Sequence, residues 1–121
     1  MLNKVVNIMS KLKKVDRAWT PKIIEQMNDY QIKVAKFKGE FTWHDHVETD
    51  EVFIVIEGEM TIQFEDKTVN LKTGDLYVVP KGVVHKPTAL KECHVLLIEP
   101  KGTVNTGGVE NQQTASNKEW V

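Results

Sequence analysis

Trp43-His44-Asp45-His46-Val47-Glu48-Thr49-Asp50-Glu51 runs directly into Val52-Phe53-Ile54-Val55-Ile56, and Pro80-Lys81-Gly82-Val83-Val84-His85 follows after a series of turn residues. The unbroken apolar run from Val52 to Ile56 has the length and β-branched content of a buried strand. In extended chain, residues i and i+2 share a face. His44 and His46 therefore point one way and Asp45 the other. Glu51 stands at the entry to the buried strand, where an unpaired carboxylate is costly. A metal ion is one partner that would remove that cost. His85 follows the Pro80-Lys81-Gly82 turn, which can carry it back towards the first two histidines. Three imidazoles and one carboxylate are a donor set that suits transition metals.

Outward from this stretch the chain reads as short strands between turns. Thr20-Pro21 is a break, because the residue before proline is driven to extended geometry. Lys22 to Met27 is a first strand, and Asn28-Asp29 a turn. Tyr30 to Lys38 alternates, with Ile32 and Val34 opposite Gln31 and Lys33, as a half-buried strand does. Glu57-Gly58 is a hairpin turn by composition. Met60, Ile62 and Phe64 alternate with polar residues, Glu65-Asp66-Lys67 turns the chain, and Val69 and Leu71 alternate next. Thr73-Gly74 punctuates. Leu76 to Val79 reads as a buried strand, and Cys93 to Ile98 as the last apolar strand, stopped at Pro100. Strands of this length and spacing predict an all-β sandwich or barrel. Ahead of them, Val5, Val6, Ile8, Met9, Leu12 and Val15 recur at helical spacing among lysines, which predicts a short amphipathic helix that packs on the sheet or on a partner subunit. The segment from Gly102 to Val121 is polar, with only Trp120 and Val121 to bury.

The two histidine stretches resemble the two motifs of the cupin superfamily. The first runs from Gly39 through His44-x-His46 and Glu51 to Gly58, and the second from Gly74 through Pro80-x-Gly82 to His85. The wider run from Trp19 to Pro100 is similar to small single-domain cupins labelled mannose-6-phosphate isomerase-like. Gly39 sits one residue closer to the first histidine than in the commonest form, and Ala89 stands where the second motif often carries asparagine. Neither change removes a ligand. The resemblance implies a double-stranded β-helix (jelly-roll) barrel over residues 21–100, with residues 1–20 as a helical arm and 101–121 as a polar tail. It also implies His44, His46, Glu51 and His85 as ligands of one divalent transition metal: Fe, Mn, Ni, Co, Cu or Zn. Many small cupins are homodimers, and a jelly roll has sheet edges that invite pairing; a homodimer is the expectation here.

The remaining candidates have plainer readings. His94 lies outside both motifs and reads as structural or surface. Cys93 reads as a small buried hydrophobe, Phe53 as core, and Trp43 and Tyr77 as residues that could line a pocket. With 121 residues, 40% hydrophobic and 27% charged, the chain is one ordinary soluble domain. Sixteen basic against 17 acidic residues leave a net charge of −1, so no field favours nucleic acid or an anionic membrane. The single cysteine forbids an internal disulfide, and Met1 to Thr20 carries no signal-peptide core; the cytoplasm is the expected compartment. Three functional readings follow: a metal-dependent oxygenase or isomerase of a small polar molecule, a non-catalytic ligand-sensing module, or a barrel that the metal merely stabilises. Sugar-phosphate isomerase is a further alternative, though no Lys or Arg cluster flanks the motifs to hold a phosphate.

Overall fold

The computed structural model describes residues 2–121. One helix and seven strands follow in chain order: α1 (Ile8–Lys13), β1 (Lys22–Met27), β2 (Tyr30–Glu40), β3 (Glu51–Glu57), β4 (Glu59–Gln63), β5 (Thr68–Lys72), β6 (Leu76–Val79) and β7 (Lys86–Pro100). This β-rich chain with a short N-terminal helix accords with the jelly-roll architecture. No helix among the described residues is long and apolar enough to cross a membrane.

Strand β7 is the organising element. On one side it pairs antiparallel with β2, from Tyr30↔Pro100 to Glu40↔Thr88. On the other it is shared: His94 to Ile98 pair with β3, and Lys86 to Thr88 pair with β4. Beyond these lie β1 next to β2, β6 next to β3, and β5 next to β4. The last strand thus begins seven residues earlier than its apolar pattern indicates. Pro87 and the charged Lys86 and Lys91 disguise it; Pro87 uses its carbonyl, which accepts from Phe41 N–H at 2.9 Å, and its missing N–H is not needed there.

Glu57-Gly58 is not a hairpin turn. The strands β3 and β4 do not pair with each other; both run along β7, and Gly58 is the corner between them. Its φ of +104° is open to glycine, and a Cβ there would lie 3.2 Å from Cys93 Cα. Strand β6 is not buried either. It ends the sheet, and Leu76 and Val78 are exposed while Val79 is buried.

The alternation in β2 holds, but its polar side faces inward. Gln31 and Lys33 are buried with Ala35 and Phe37. On the opposite face, α1 covers Val34, and Leu12, Val15, Ile24 and Val34 form a small cluster with partly buried Ile32, Ile56 and Val121. The helix is shorter than its apolar spacing, because Asn7 caps it by accepting from Ser10 N–H at 2.9 Å. The main core lies on the inner face. Trp19, Phe37, Phe41, Phe53, Val55, Met60, Ile62, Leu71 and Val95 belong to one cluster. Full burial of each such side chain contributes about 1.5–3 kcal/mol.

The segment after Pro100 is tied down by polar contacts. Asn105 Nδ2 donates to the carbonyls of Trp19 at 3.1 Å and Gln113 at 2.8 Å, and Gln113 Nε2 donates to Glu40 O at 3.0 Å. Thr106 is fully buried. Gly107 lies so close to the main chain of Asp45 that a Cβ would meet its carbonyl oxygen at 2.0 Å. Trp120 keeps its ring half exposed and is held by its backbone, in a parallel bridge to Ile23.

Candidate metal centre

The first two histidines sit in the extended connection between β2 and β3, not in a regular strand. A single bridge fixes it. His44 N–H donates to His85 O at 3.0 Å and His85 N–H to His44 O at 2.8 Å, which clips the two sequence motifs together. Gly82 N–H donates to His46 O at 2.9 Å and ties the turn before His85 to the same connection. Glu51 opens β3, and His85 directly precedes β7. All four side chains are buried, with His85 at 0% exposure.

The ring nitrogens divide their tasks. His44 Nδ1 lies 2.8 Å from Thr42 O, and His85 Nδ1 lies 2.9 Å from Val83 O. A carbonyl only accepts, so each Nδ1 carries the hydrogen and each Nε2 presents a lone pair. Nε2 of His46, Nε2 of His85 and Oε1 of Glu51 are buried without a hydrogen-bond partner. His46 Nε2 and His85 Nε2 lie 3.3 and 3.5 Å from Glu51 Oε1. One donor atom from each of the four residues falls within 4.8 Å of the others. Among the described residues this is the one His/Cys/Asp/Glu group so arranged. Orphaned, convergent, anchored donors of this kind fit a divalent metal ion, which would satisfy all of them at once.

Electrostatics agree. Burial, with His85 close by, lowers the His44 pKa to about 4, so the ring is neutral and ready to ligate. Burial alone would raise Glu51, but the His46 and His85 rings beside its Oε1 hold it well below the usual carboxylate range. Aromatic rings wall the cluster: Phe53 and Phe64 stand 6.1 and 6.4 Å from His85 between centroids. Beside His44 and Glu51 lies a cavity of about 20 Å³, lined by Trp19, Phe37, Phe41, Glu99 and Asn105. It has room for about one water molecule. Past Phe64, Trp43, Gln63 and Val84 border an open groove of about 550 Å³.

The structure brings His44, His46, Glu51 and His85 together and leaves His94 and Cys93 elsewhere. Cys93 is fully buried, and burial raises its thiol to about 11. Phe53 is core, Trp43 is exposed, and Tyr77 packs on Phe64 at 5.9 Å. The sequence reading missed Lys33 and Glu99. Lys33 Nζ lies 2.9 Å from Glu99 Oε1, with both side chains buried, and Glu99 lines the same small cavity as Glu51. Burial and the nearby Glu51 charge push Glu99 well above its ordinary pKa. A usable signal was present: Val95, Leu97 and Glu99 share a face by parity, so a buried Val95 implies a buried Glu99.

Comparison with known proteins places these features in a family. The Cupin domain family matches residues 32–99. An uncharacterized protein, YdbB, of Bacillus subtilis is 37% identical over 101 residues, covering 83% of this chain and 89% of the relative. The crystal structure of a cupin-2 domain containing protein from Shewanella frigidimarina is 50% identical, with a TM-score of 0.78 over 79% of this chain and 94% of that one. Protein NMB1881 from Neisseria meningitidis is similar at 32% identity, with a TM-score of 0.74 over 80% and 99% of the two chains. The family match spans more than half of the sequence and includes both histidine motifs and Glu51, and on that ground the chain belongs to the cupin family.

Proposed function

We propose that the protein holds one divalent transition metal through His44, His46, Glu51 and His85 and uses it to bind or convert a small polar molecule. The observation that carries this is the division of the ring nitrogens: Nδ1 of His44 and His85 faces backbone carbonyls, while Nε2 of His46 and His85 lacks any partner. A buried polar atom without a partner is costly. The bound metal would supply Lewis acidity and a coordination point for a ligand oxygen. The chain's own part is to keep the His44 imidazole neutral, to hold Glu51 ionised and to surround the centre with Phe53 and Phe64. With four protein ligands, an octahedral ion would keep two positions for a ligand. Fe, Mn, Ni, Co, Cu and Zn all accept such donors.

Metal analysis of protein purified without added metal, then chelation and reconstitution, tests the centre. A screen of diketones, phenols and sugar phosphates with oxygen uptake monitored tests turnover. An enzyme loses activity on chelation and regains it with a preferred metal. A sensing module shows ligand-dependent stabilisation without turnover. Turnover in His46→Ala equal to wild type would remove the centre from catalysis. Sugar-phosphate isomerisation fits the geometry less well, because Lys33 is paired with Glu99 and Lys86, next to His85, is paired with Glu40.

We also infer closure of the strands into a barrel, residence in the cytoplasm, and a homodimer. The exposed Leu76 and Val78 of edge strand β6, beside half-buried Val52 and Ile54, support the dimer. A twofold contact there would need about 1,000 Å² in total. Light scattering should give a dimer for the wild type and a monomer for Leu76→Lys/Val78→Lys; a wild-type monomer at micromolar concentration would end the dimer reading.

A further inference from the structure

The connection between β2 and β3 carries two of the proposed ligands, His44 and His46, and has no regular secondary structure beyond one bridge. A loop holds a functional side chain in place only when a rigid frame holds the loop. On one side the frame is the turn before β7 and the start of that strand: Phe41 N–H donates to Pro87 O at 2.9 Å, and His44 and His46 are tied to His85 and Gly82. On the other side stands the segment after Pro100. Its own polar groups are closely matched. Asn105 Oδ1 accepts from Ala115 N–H at 2.9 Å, and the Thr106 hydroxyl donates to Val109 O at 2.6 Å and meets the Thr114 hydroxyl at 2.8 Å. Asn111 N–H donates to Thr114 Oγ1 at 3.0 Å, and Gln113 N–H to Asn111 Oδ1 at 2.8 Å. Among the described residues, none of the buried side-chain polar atoms left without a partner lies in this segment.

The segment presents two carboxamides to Thr42. The Thr42 hydroxyl donates to Gln113 Oε1 at 2.7 Å and accepts from Asn111 Nδ2 at 2.9 Å, so it is used in both senses. Gln113 Nε2 donates to Glu40 O at 3.0 Å, so one amide spans residues 40 and 42. Thr42 O in turn accepts from His44 Nδ1 at 2.8 Å. An unbroken path of hydrogen bonds and one residue's covalent frame thus leads from Gln113 to a ring of the centre.

We propose that Gln113 is a positioning residue: its carboxamide, closed on Thr42 and Glu40, fixes the carbonyl that orients the His44 ring and so tunes the affinity and geometry of the metal centre. This rests on the metal-centre reading above. Partners directly behind a ligand typically account for about 10–100-fold in metal affinity. Gln113 acts through Thr42, which puts its effect at the lower end of that range.

Four variants test it on the full chain with Co(II) as the probe. Competition against a chromophoric chelator gives affinity, and the visible ligand-field spectrum gives geometry. Gln113→Ala removes the amide. Thr42→Val keeps the branch at Cβ and removes the hydroxyl, Thr42→Ser keeps the hydroxyl, and Thr42→Val/Gln113→Ala closes the cycle. Gln113→Ala and Thr42→Val should each bind Co(II) about tenfold more weakly with a changed spectrum. The double variant should match Thr42→Val, because both changes break one path, and Thr42→Ser should stay within about threefold of wild type. Metal-free thermal unfolding reports folding separately, and where Gln113→Ala does not fold, Thr42→Val against Thr42→Ser decides. Wild-type affinity and spectrum in folded Gln113→Ala, with only a lower unfolding temperature, make the contact merely structural and overturn the inference. So do losses that add in the double variant, or a Thr42→Ser loss equal to that of Thr42→Val; in each of these cases the metal centre stands. Wild-type protein that binds no Co(II), or binds it undiminished in His46→Ala, overturns the metal-centre reading and this inference with it.

Discussion

His85 directly precedes β7 and His94 lies in the middle of it, and each has glutamate oxygens near a ring nitrogen, yet their surroundings differ. His85 is fully buried, its Nδ1 is taken by Val83 O, and its Nε2 faces Glu51 at 3.5 Å without a hydrogen bond. The His94 Nε2 pairs with Glu92 Oε2 at 2.9 Å, and its Nδ1 lies 4.0 Å from Glu57 Oε2. Those two glutamates are more than half exposed. A histidine beside carboxylates is thus not itself a metal site. What separates the two is backbone anchoring of one ring nitrogen and the company of the other: His85 Nε2 faces a buried carboxylate among two further imidazoles, whereas the carboxylates near His94 are exposed. His94 pairs its Nε2 with an exposed glutamate and leaves only Nδ1 unpartnered; His85 has its Nδ1 on a backbone carbonyl and leaves Nε2, beside the buried Glu51, without a partner.

The sharpest way to break this contrast is to exchange the losses. His85→Ala and Glu51→Gln should each abolish stoichiometric metal binding, an effect beyond the roughly 100-fold that loss of an outer partner causes. His94→Ala should leave stoichiometry and affinity unchanged by calorimetric titration. Equal losses at both positions would erase the distinction.

Acid is the next lever. His44 has a folded pKa of about 4 against 6.5 for the free side chain. Between those values the unfolded chain binds more protons, so stability falls as pH falls. The His44 contribution is therefore complete above about pH 6.5, is lost towards pH 4 and changes no further below that. It amounts to about 3 kcal/mol. Glu99, raised by burial, works in the opposite sense. The contribution is thus best read as the difference between metal-free wild type and His44→Gln in urea unfolding at pH 7 and pH 4.5. A difference that does not shrink with acid would contradict the buried, neutral ring.

A smaller effect is expected from Gly82→Ala. The residue has φ +76°, and an added Cβ would meet no atom within 4 Å, so the change is conformational only and costs about 1–2 kcal/mol. Because Gly82 N–H holds His46 O, metal affinity should fall too. Smallest of all, His94→Ala, which removes a partly buried ring paired with an exposed glutamate, should cost about 0.5–1 kcal/mol of stability.

Much of the centre was legible because its signal is local. The spacing of His44, His46 and Glu51, and the Pro80-Gly82 turn before His85, can be read without knowing which strands pair. The errors arose where a face gains a second cover or loses its first. Gln31 and Lys33 read as the outer side of β2 because Ile32 and Val34 are apolar; α1 supplies those residues with their own cover and frees the other face to be polar inside. Leu76 and Val78 read as buried because they are apolar, but no strand lies beyond β6. Gly58 read as a hairpin because glycine permits many turns, and only the length of β7 shows that two successive strands lie along it.

The placement of β7 also sets an order of events during synthesis. Three pairs can form from segments made earlier: β1 with β2, β3 with β6, and β4 with β5. No strand of one pair is in ladder register with a strand of another until residues 86–100 exist, because only β7 pairs with all of β2, β3 and β4. At roughly 5–20 residues per second, a nascent chain spends seconds with Val52 to Ile56 displayed on an unfinished sheet. His85 arrives just ahead of the strand that welds the three pairs. Assembly of the four-residue cluster and completion of the sheet therefore fall within one short interval of synthesis, and under the metal-centre proposal an ion would meet its full donor set only late in that interval.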